Sequence, residues 1–344
     1  MIRVLIVDDY LLVRTVLRDL FTQDPALQVV AEAQNGLEAV QKALELKPDI
    51  IVMDLLMPVM DGLDAVIEIM SECPTPILML SESVDKSSPG PSAFNAIRFG
   101  ALDVMAKPAG LATTGFGPQA KTLVDKIKIL ARIRVMHHFR RERAPRDIAP
   151  PPAVGPRKIL AVGASTGGPK AVMQVMSGIP AGCDAWVVIV QHIAKGFSAG
   201  FAAWLNNESG FTVRLAEDGD VPEKGVALVA PDHYHTEFVD GRIVLSDGPP
   251  VNSCRPAVDP LFLSLGRSTL APETVAVLLT GMGSDGARGL AALRDAGAMT
   301  IAEDEETCAI YGMPRAAIES GAAQMVVPLP EIAPLLTGIF NFDD

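Results

Sequence analysis

Short apolar runs rich in β-branched residues alternate with segments of helical period along most of this chain, and no other feature constrains its fold as much. In the first part the runs are IRVLIV from Ile2, LQVVAEA from Leu27, DIIVMD from Asp49, PILML from Pro76 and LDVMA from Leu102. Each is followed by a longer stretch of helix period or loop. Strands spaced in this way join in parallel through crossover helices, so Met1 to about Arg134 predicts a five-stranded doubly wound sheet. The pattern then breaks. HHFRRERAPRDIAPPPAVGPRK, His137 to Lys158, is rich in Pro and Arg with few core formers, and reads as a linker whose arginines form a solvated face or a docking strip. From Lys158 the alternation resumes, with strands expected at WVVIV, TVRLA, VALVA, TVAVLLT, AMTIA and AQMVV. TEFVDGRIVLS places Asp240-Gly241 between two alternating runs, which predicts a β-hairpin. No internal repeat merges the two halves.

A chain of 344 residues with 49% apolar content is long enough for two well-filled domains. Its net charge of -12 argues against nucleic acid or an anionic membrane surface as the main partner, which leaves a protein or a small substrate. Cys73, Cys183, Cys254 and Cys308 are scattered with no C-x-x-C pair, so they read as reduced thiols and imply no zinc site. The apolar run at the N-terminus is too brief for a secretion signal and no stretch approaches a membrane span. The expected location is the cytoplasm, with no direct membrane insertion.

Asp8 and Asp9 stand at the end of the first run, Asp54 at the end of the third, Ser81 after the fourth and Lys107 after the fifth. In a doubly wound sheet the carboxyl ends of the strands gather at one edge, so these residues converge. Three carboxylates in one crevice repel one another and call for a cation; hard oxygen ligands in small number suit Mg²⁺. With the ion and Lys107 neutralising charge, a phosphoryl group could pass to Asp54 and form an acyl phosphate. The plainer alternative is that Asp8 and Asp9 cap a helix and Lys107 is a surface lysine. VLIVDDY, VMDLLMPVMDG, Ser81 and the AKP at Lys107 resemble the receiver domain of two-component response regulators. That resemblance implies that Asp54 is the phosphate acceptor, that Asp8, Asp9 and Asp54 hold Mg²⁺, and that Ser81 and Lys107 read the phosphoryl group. Receivers usually carry an aromatic switch residue three positions before the lysine; here it is Val104.

AVGASTGGPK, Ala161 to Lys170, joins an apolar strand to the helix-like AVMQVM. Two templates fit. The dinucleotide cradle G-x-G-x-x-G is met at Gly163 and Gly168, but Ser165 takes the middle position, where the backbone must approach a pyrophosphate closely. G-x-S-x-G is met from Gly163 to Gly167 and puts a serine on a tight strand-to-helix turn. A turn serine with no chemistry fits this stretch alone equally well. A serine nucleophile needs a base and a group to orient it. Of five histidines, His137 and His138 lie in the linker, and His233 and His235 form an H-x-H without a carboxylate or thiol cluster to complete a metal site. His192, just after WVVIV, would share the strand-end crevice with Ser165. Asp285, on a glycine-rich turn after TVAVLLT, is the candidate acid, or else an N-cap for the next helix.

The order Ser165, His192, Asp285 is not that of the α/β-hydrolases. GASTGG, QH, RPAVDPLF, LTGMGSDGA and YGMP closely resemble the catalytic domain of the chemotaxis protein-glutamate methylesterases, the CheB family. The two resemblances together imply two doubly wound parallel-sheet α/β domains: a flavodoxin-like receiver at 1–134, a Pro/Arg-rich linker at 135–157, and a Rossmann-like methylesterase domain with a β-hairpin at 158–344. They imply hydrolysis of glutamate γ-methyl esters on chemoreceptors, with glutamine deamidation in some members, and a chemotaxis histidine kinase as phosphodonor. Ser165, His192 and Asp285 would be catalytic, the backbone amides of Thr166 and Met282 would hold the oxyanion, and this half would need no cofactor. His235, Arg255 and Tyr311 fall in family-like segments and would line the substrate cleft. The competing expectation is an interaction protein with a degenerate hydrolase domain. A DNA-binding output is excluded because the second half has no helix-turn-helix or basic recognition helix.

Overall fold

The computed structural model describes residues 1–81, 93–107, 118–133, 158–180 and 182–340. The chain divides into two compact units, Met1–Glu142 and Arg143–Asp344. The expected linker, 135–157, lies outside the described residues, as do His137 and His138.

In the first unit strands and helices alternate as β1 (Ile2–Val7), α1 (Leu11–Thr22), β2 (Leu27–Ala33), α2 (Gly36–Leu46), β3 (Ile50–Asp54), α3 (Gly62–Glu72), β4 (Ile77–Ser81), α4 (Ala93–Arg98), β5 (Asp103–Ala106) and α5 (Pro118–Leu130). The strands form one parallel sheet in the order β2-β1-β3-β4-β5. β3 and β4 are buried along their whole length, which explains why they read as unbroken apolar runs: helices cover both faces. Two of the helix starts are marked by short polar side chains. Asn35 accepts the Glu38 N–H ahead of α2 and Asp61 accepts the Asp64 N–H ahead of α3.

The second unit runs β6 (Ile159–Ala164), α6 (Gly168–Gly178), β7 (Trp186–Gln191), α7 (Ser198–Glu208), β8 (Thr212–Leu215), β9 (Val226–Val229), β10 (His235–Val239), β11 (Arg242–Ser246), α8 (Val258–Arg267), β12 (Thr274–Leu278), α9 (Ala287–Asp295), β13 (Met299–Glu303), α10 (Met313–Glu319), β14 (Met325–Val327) and α11 (Leu329–Ile339). Seven strands make a parallel sheet ordered β14-β13-β12-β6-β7-β9-β8. The expected hairpin is present as β10–β11, and Asp240 and Gly241 both take positive φ (49° and 81°) as a two-residue primed turn requires. The core is the apolar filling between the sheet and its helices, with Val188, Leu228, Phe262, Leu278 and Leu290 free of solvent. Each such side chain contributes about 1.5–3 kcal/mol by burial.

The topology fixes where chemistry can sit. In the first sheet the chain leaves β1 to one side for β2 and returns to the other side for β3. In the second it leaves β6 for β7 and later returns to β12. Each reversal opens a crevice at the carboxyl ends of the central strands.

Candidate active site and acidic cluster

Asp8 and Asp9 follow β1, Asp54 ends β3, Ser81 ends β4 and Lys107 follows β5, so all five expected residues stand at one sheet edge. One oxygen from each of Asp8, Asp9 and Asp54 lies within 4.8 Å of the others. Lys107 Nζ bridges Asp8 Oδ2 and Asp54 Oδ2 at 2.8 Å each. Burial pushes the Asp54 carboxyl up to about 6 against the pull of Lys107. Burial opposes the charge on Lys107 too, but its bonds to Asp54 and Asp8 prevail and raise its pKa. Asp9 Oδ1 is buried and accepts no hydrogen bond among the described residues. A buried, unpaired carboxylate oxygen beside two more carboxylates fits a divalent cation. Ser81 is buried, and its carbonyl accepts the Lys107 N–H at 2.9 Å. Val104 is buried within β5, so no aromatic ring stands at that position.

In the second unit Ser165 follows β6, His192 follows β7, and Asp285 lies in the turn between β12 and α9. Ser165 donates its N–H to the Thr280 carbonyl at 3.0 Å and accepts the Gly168 N–H at 2.8 Å, closing a tight turn. Gly167 follows at φ 78°, a conformation that favours glycine, and Gly168-Pro169 starts α6. Gln191 staples this turn to the end of β7: its buried amide donates to the carbonyls of Ser165 (2.7 Å) and His192 (2.9 Å).

Asp285 does not cap the helix that follows it. The N-cap of α9 is Gly286, without a side-chain cap, while Asp285 accepts the N–H groups of Val258 (2.6 Å) and Asp259 (3.2 Å) at the start of α8. The helix terminus thereby favours its charged form. Asn252 donates to the same carboxylate at 2.9 Å. His192 Nε2 pairs with Asp285 Oδ2 at 2.7 Å, and Cys254 Sγ stands 3.5 Å from Nδ1. Burial disfavours the imidazolium, but Asp285 and then Cys254 outweigh it and raise its pKa to about 9. Burial would raise the Asp285 pKa; His192 and the amides hold it below the usual carboxylate value. Among the described residues no hydrogen bond engages Ser165 Oγ, and the N–H groups of Thr166 and Met282 donate to no protein acceptor. Thr166 is buried, whereas the Met282 side chain is half exposed.

The family model described as CheB methylesterase matches residues 160–336, and that for the response regulator receiver domain matches 4–113. The chain belongs to the CheB methylesterase family. It is an ester hydrolase joined to a receiver domain. A protein-glutamate methylesterase/protein-glutamine glutaminase of Anaeromyxobacter dehalogenans is 42% identical over 96% of this chain and 95% of its own length. One of the same name from Pyrococcus abyssi is 37% identical over 96% and 91%. The crystal structure of the Thermotoga maritima CheB methylesterase catalytic domain shares 36% identity with a TM-score of 0.50, covering 53% of this chain and 98% of that one.

In this CheB-family chain the other cleft candidates part ways. His235 is buried, accepting the Ala257 N–H at Nδ1 (3.2 Å) and donating from Nε2 to the Pro249 carbonyl (3.1 Å); both nitrogens serve the fold. His233 is exposed, so H-x-H does not converge on a metal. Arg255 donates to the carbonyls of Asp247 and Gly248 and braces that loop. Tyr311 pairs with Gly281 through a backbone bridge beside Met282. Sequence reasoning missed Gln191, Asn252, Thr280 and Glu303. Thr280 is the hub of the nucleophile turn: it accepts the Ser165 N–H, donates its hydroxyl to the Thr166 carbonyl (3.0 Å), accepts the Ile310 N–H (2.8 Å), and gives its own N–H to Glu303 (2.8 Å).

Proposed function

We propose that this chain removes methyl groups from glutamate γ-methyl esters on chemoreceptors, and deamidates receptor glutamines by the same route, under the control of phosphorylation at Asp54. The names of its relatives support the substrate class, and the chemistry rests on one observation: a His192–Asp285 pair with a buried carboxylate, at the strand end next to a serine whose hydroxyl makes no hydrogen bond among the described residues. Ser165 Oγ attacks the ester carbonyl while its proton passes to His192. Nε2 is committed to Asp285, so Nδ1 receives that proton. The oxyanion is held by the amides of Thr166 and Met282, each worth about 3 kcal/mol when preorganised. The Nδ1 proton then leaves with methanol, or with ammonia from a glutamine, and water attacks the acyl-enzyme with His192 again as base. Asp285 stabilises the imidazolium throughout. Because the base must be neutral and its pKa is about 9, kcat/KM should climb with pH towards that value.

In the receiver, Asp8, Asp9 and Asp54 would hold Mg²⁺, which would supply positive charge to the phosphoryl oxygens. Asp54 accepts the phosphoryl group from a chemotaxis histidine kinase, and Ser81 and Lys107 register it. The domains are 1–134 and 158–344, joined by a linker. No helix among the described residues is long and apolar enough to cross a membrane. The proposed receptor substrate would put the reaction in the cytoplasm.

The deciding experiment measures methanol release from a methylated receptor fragment. Ser165→Ala and His192→Ala should each lose at least about a thousandfold in kcat/KM with unchanged circular dichroism. Near-native turnover in either variant removes that residue from the mechanism.

A further inference from the structure

Both ring nitrogens of His192 are engaged, and neither contact is with Ser165. Nε2 faces Asp285 Oδ2 at 2.7 Å and Nδ1 faces Cys254 Sγ at 3.5 Å. Releasing Nε2 would strip the ring of the carboxylate that fixes it, so Nδ1 is the nitrogen on which the serine proton must arrive. Cys254 stands at that nitrogen. Its placement is built into the backbone: Val251 and Cys254 exchange two hydrogen bonds (3.0 and 2.9 Å) around Asn252 and Ser253, both at positive φ (51° and 65°). The same turn sends Asn252 to Asp285. One two-residue turn therefore touches both members of the His–Asp pair.

We propose that Cys254 is a positioning residue for the base: its sulfur accepts the Nδ1–H of the resting imidazolium, and once that proton has been lost to solvent the neutral ring turns the bare Nδ1 to Ser165. The inference rests on Ser165, His192 and Asp285 being the catalytic set. Sulfur is a weak acceptor, so a serine hydroxyl displaces it at low cost. The contact also favours the charged ring, adding to Asp285 against burial. The titratable groups bonded to the imidazole are Asp285, from the β12–α9 turn, and Cys254. Asp259 and Arg288 stand one step behind, Asp259 sharing the Asn252 amide at 3.4 Å and pairing with Arg288 at 3.7 Å. All of these except Cys254 persist in the variant used below, so a changed titration reports the sulfur.

The test is the pH profile of kcat/KM for the full-length protein with a methylated receptor fragment. In Cys254→Ala the imidazolium loses an acceptor, so the acid limb should move to lower pH and kcat/KM near neutrality should rise about threefold to tenfold. Cys254→Ser restores an acceptor and should return the limb toward wild type. Imidazole NMR titration in the Ser165→Ala background should show the same displacement of His192 without turnover. Thermal unfolding is followed for every variant, and if Cys254→Ala is unfolded, Cys254→Val, which fills the space without an acceptor, carries the comparison. An unmoved limb with an unmoved titration overturns the proposal, as does loss of activity in a stably folded Cys254→Ala. Wild-type turnover surviving in Ser165→Ala would instead overturn the catalytic set, and the two failures are read in separate variants.

Discussion

Glu303 at the end of β13 accepts the backbone N–H of Thr280 at 2.8 Å from a side chain with no exposure to solvent. Through Thr280 this carboxyl supports the turn that carries Ser165, yet it does so where ionisation is penalised: burial pushes its pKa up to about 7. The unfolded chain gives up this proton near 4.5 and the folded chain keeps it to about 7. Between those values the folded state binds more protons than the unfolded, so stability falls as pH rises, by up to about 3 kcal/mol, and stays reduced above the window. Glu303→Gln retains an acceptor for Thr280 without a titrating group. Its melting temperature should exceed wild type at alkaline pH and the gap should shrink on acidification toward 4.5, with methylesterase activity retained. A gap that does not change with pH would mean that Glu303 does not ionise in this window.

The cluster of Asp8, Asp9 and Asp54 predicts a divalent-ion response that can be read without phosphorylation. Asp9 is the member whose buried Oδ1 accepts no hydrogen bond among the described residues. Mg²⁺ binding only the folded receiver should raise its unfolding temperature, by about 2.7 kcal/mol of stability at a hundred times the dissociation constant. Asp9→Asn, with one ligand charge fewer, should be more stable than wild type in chelator and should gain much less from MgCl₂, as followed by differential scanning calorimetry. Equal gains in both proteins would exclude Asp9 as a ligand.

The strands were legible because parallel strands covered on both faces are written as unbroken apolar runs, as in β3, β6 and β12. The placement of Ser165, His192 and Asp285 at strand ends was legible because a doubly wound sheet delivers strand ends to one crevice, whatever their separation in the chain. The supporting groups were not. Gln191 reaches Ser165 across 26 residues and Glu303 reaches Thr280 across 23, each through a side-chain bond to a backbone group, which leaves no local pattern. Asp285 shows the limit from the other side. Its position before α9 suggested a cap for that helix, whereas its carboxylate serves α8, 27 residues earlier.

Gly168 is a sensitive probe of the staple between β6 and β7. A Cβ there would meet Gln191 Oε1 at 2.1 Å and Ala164 Cβ at 2.8 Å. Gly168→Ala must displace the amide that holds both Ser165 and His192. We expect a loss of about 1–3 kcal/mol in stability and a fall in kcat of about tenfold to a hundredfold from misplacement of the nucleophile. Gly338→Ala, in α11 with open space at its Cβ, is the matched control and should be neutral or slightly stabilising. Equal, small effects at both positions would show that the staple tolerates movement.

Phosphorylation supplies the last test, and Val104 sharpens it. With no ring to rotate at that position, the proposed signal would have to start from Lys107 and Ser81, at the sheet edge beside Asp54. A small phosphodonor with Mg²⁺ should therefore accelerate wild type on the methylated receptor, leave Asp54→Asn at its basal rate, and phosphorylate Lys107→Arg without accelerating it. We propose further that the unphosphorylated receiver slows the hydrolase on bulky substrates. Each unit has its own apolar core, so a fragment of residues 155–344 should fold alone. It should demethylate receptor faster than the resting full-length chain, while the two hydrolyse a small glutamyl methyl ester at similar rates, because a small ester can pass an obstruction that a receptor helix cannot. A fragment no faster than the resting chain on receptor would argue that the phosphorylated receiver activates by direct contact, and a fragment equally faster on both substrates would argue that the receiver distorts the site without covering it.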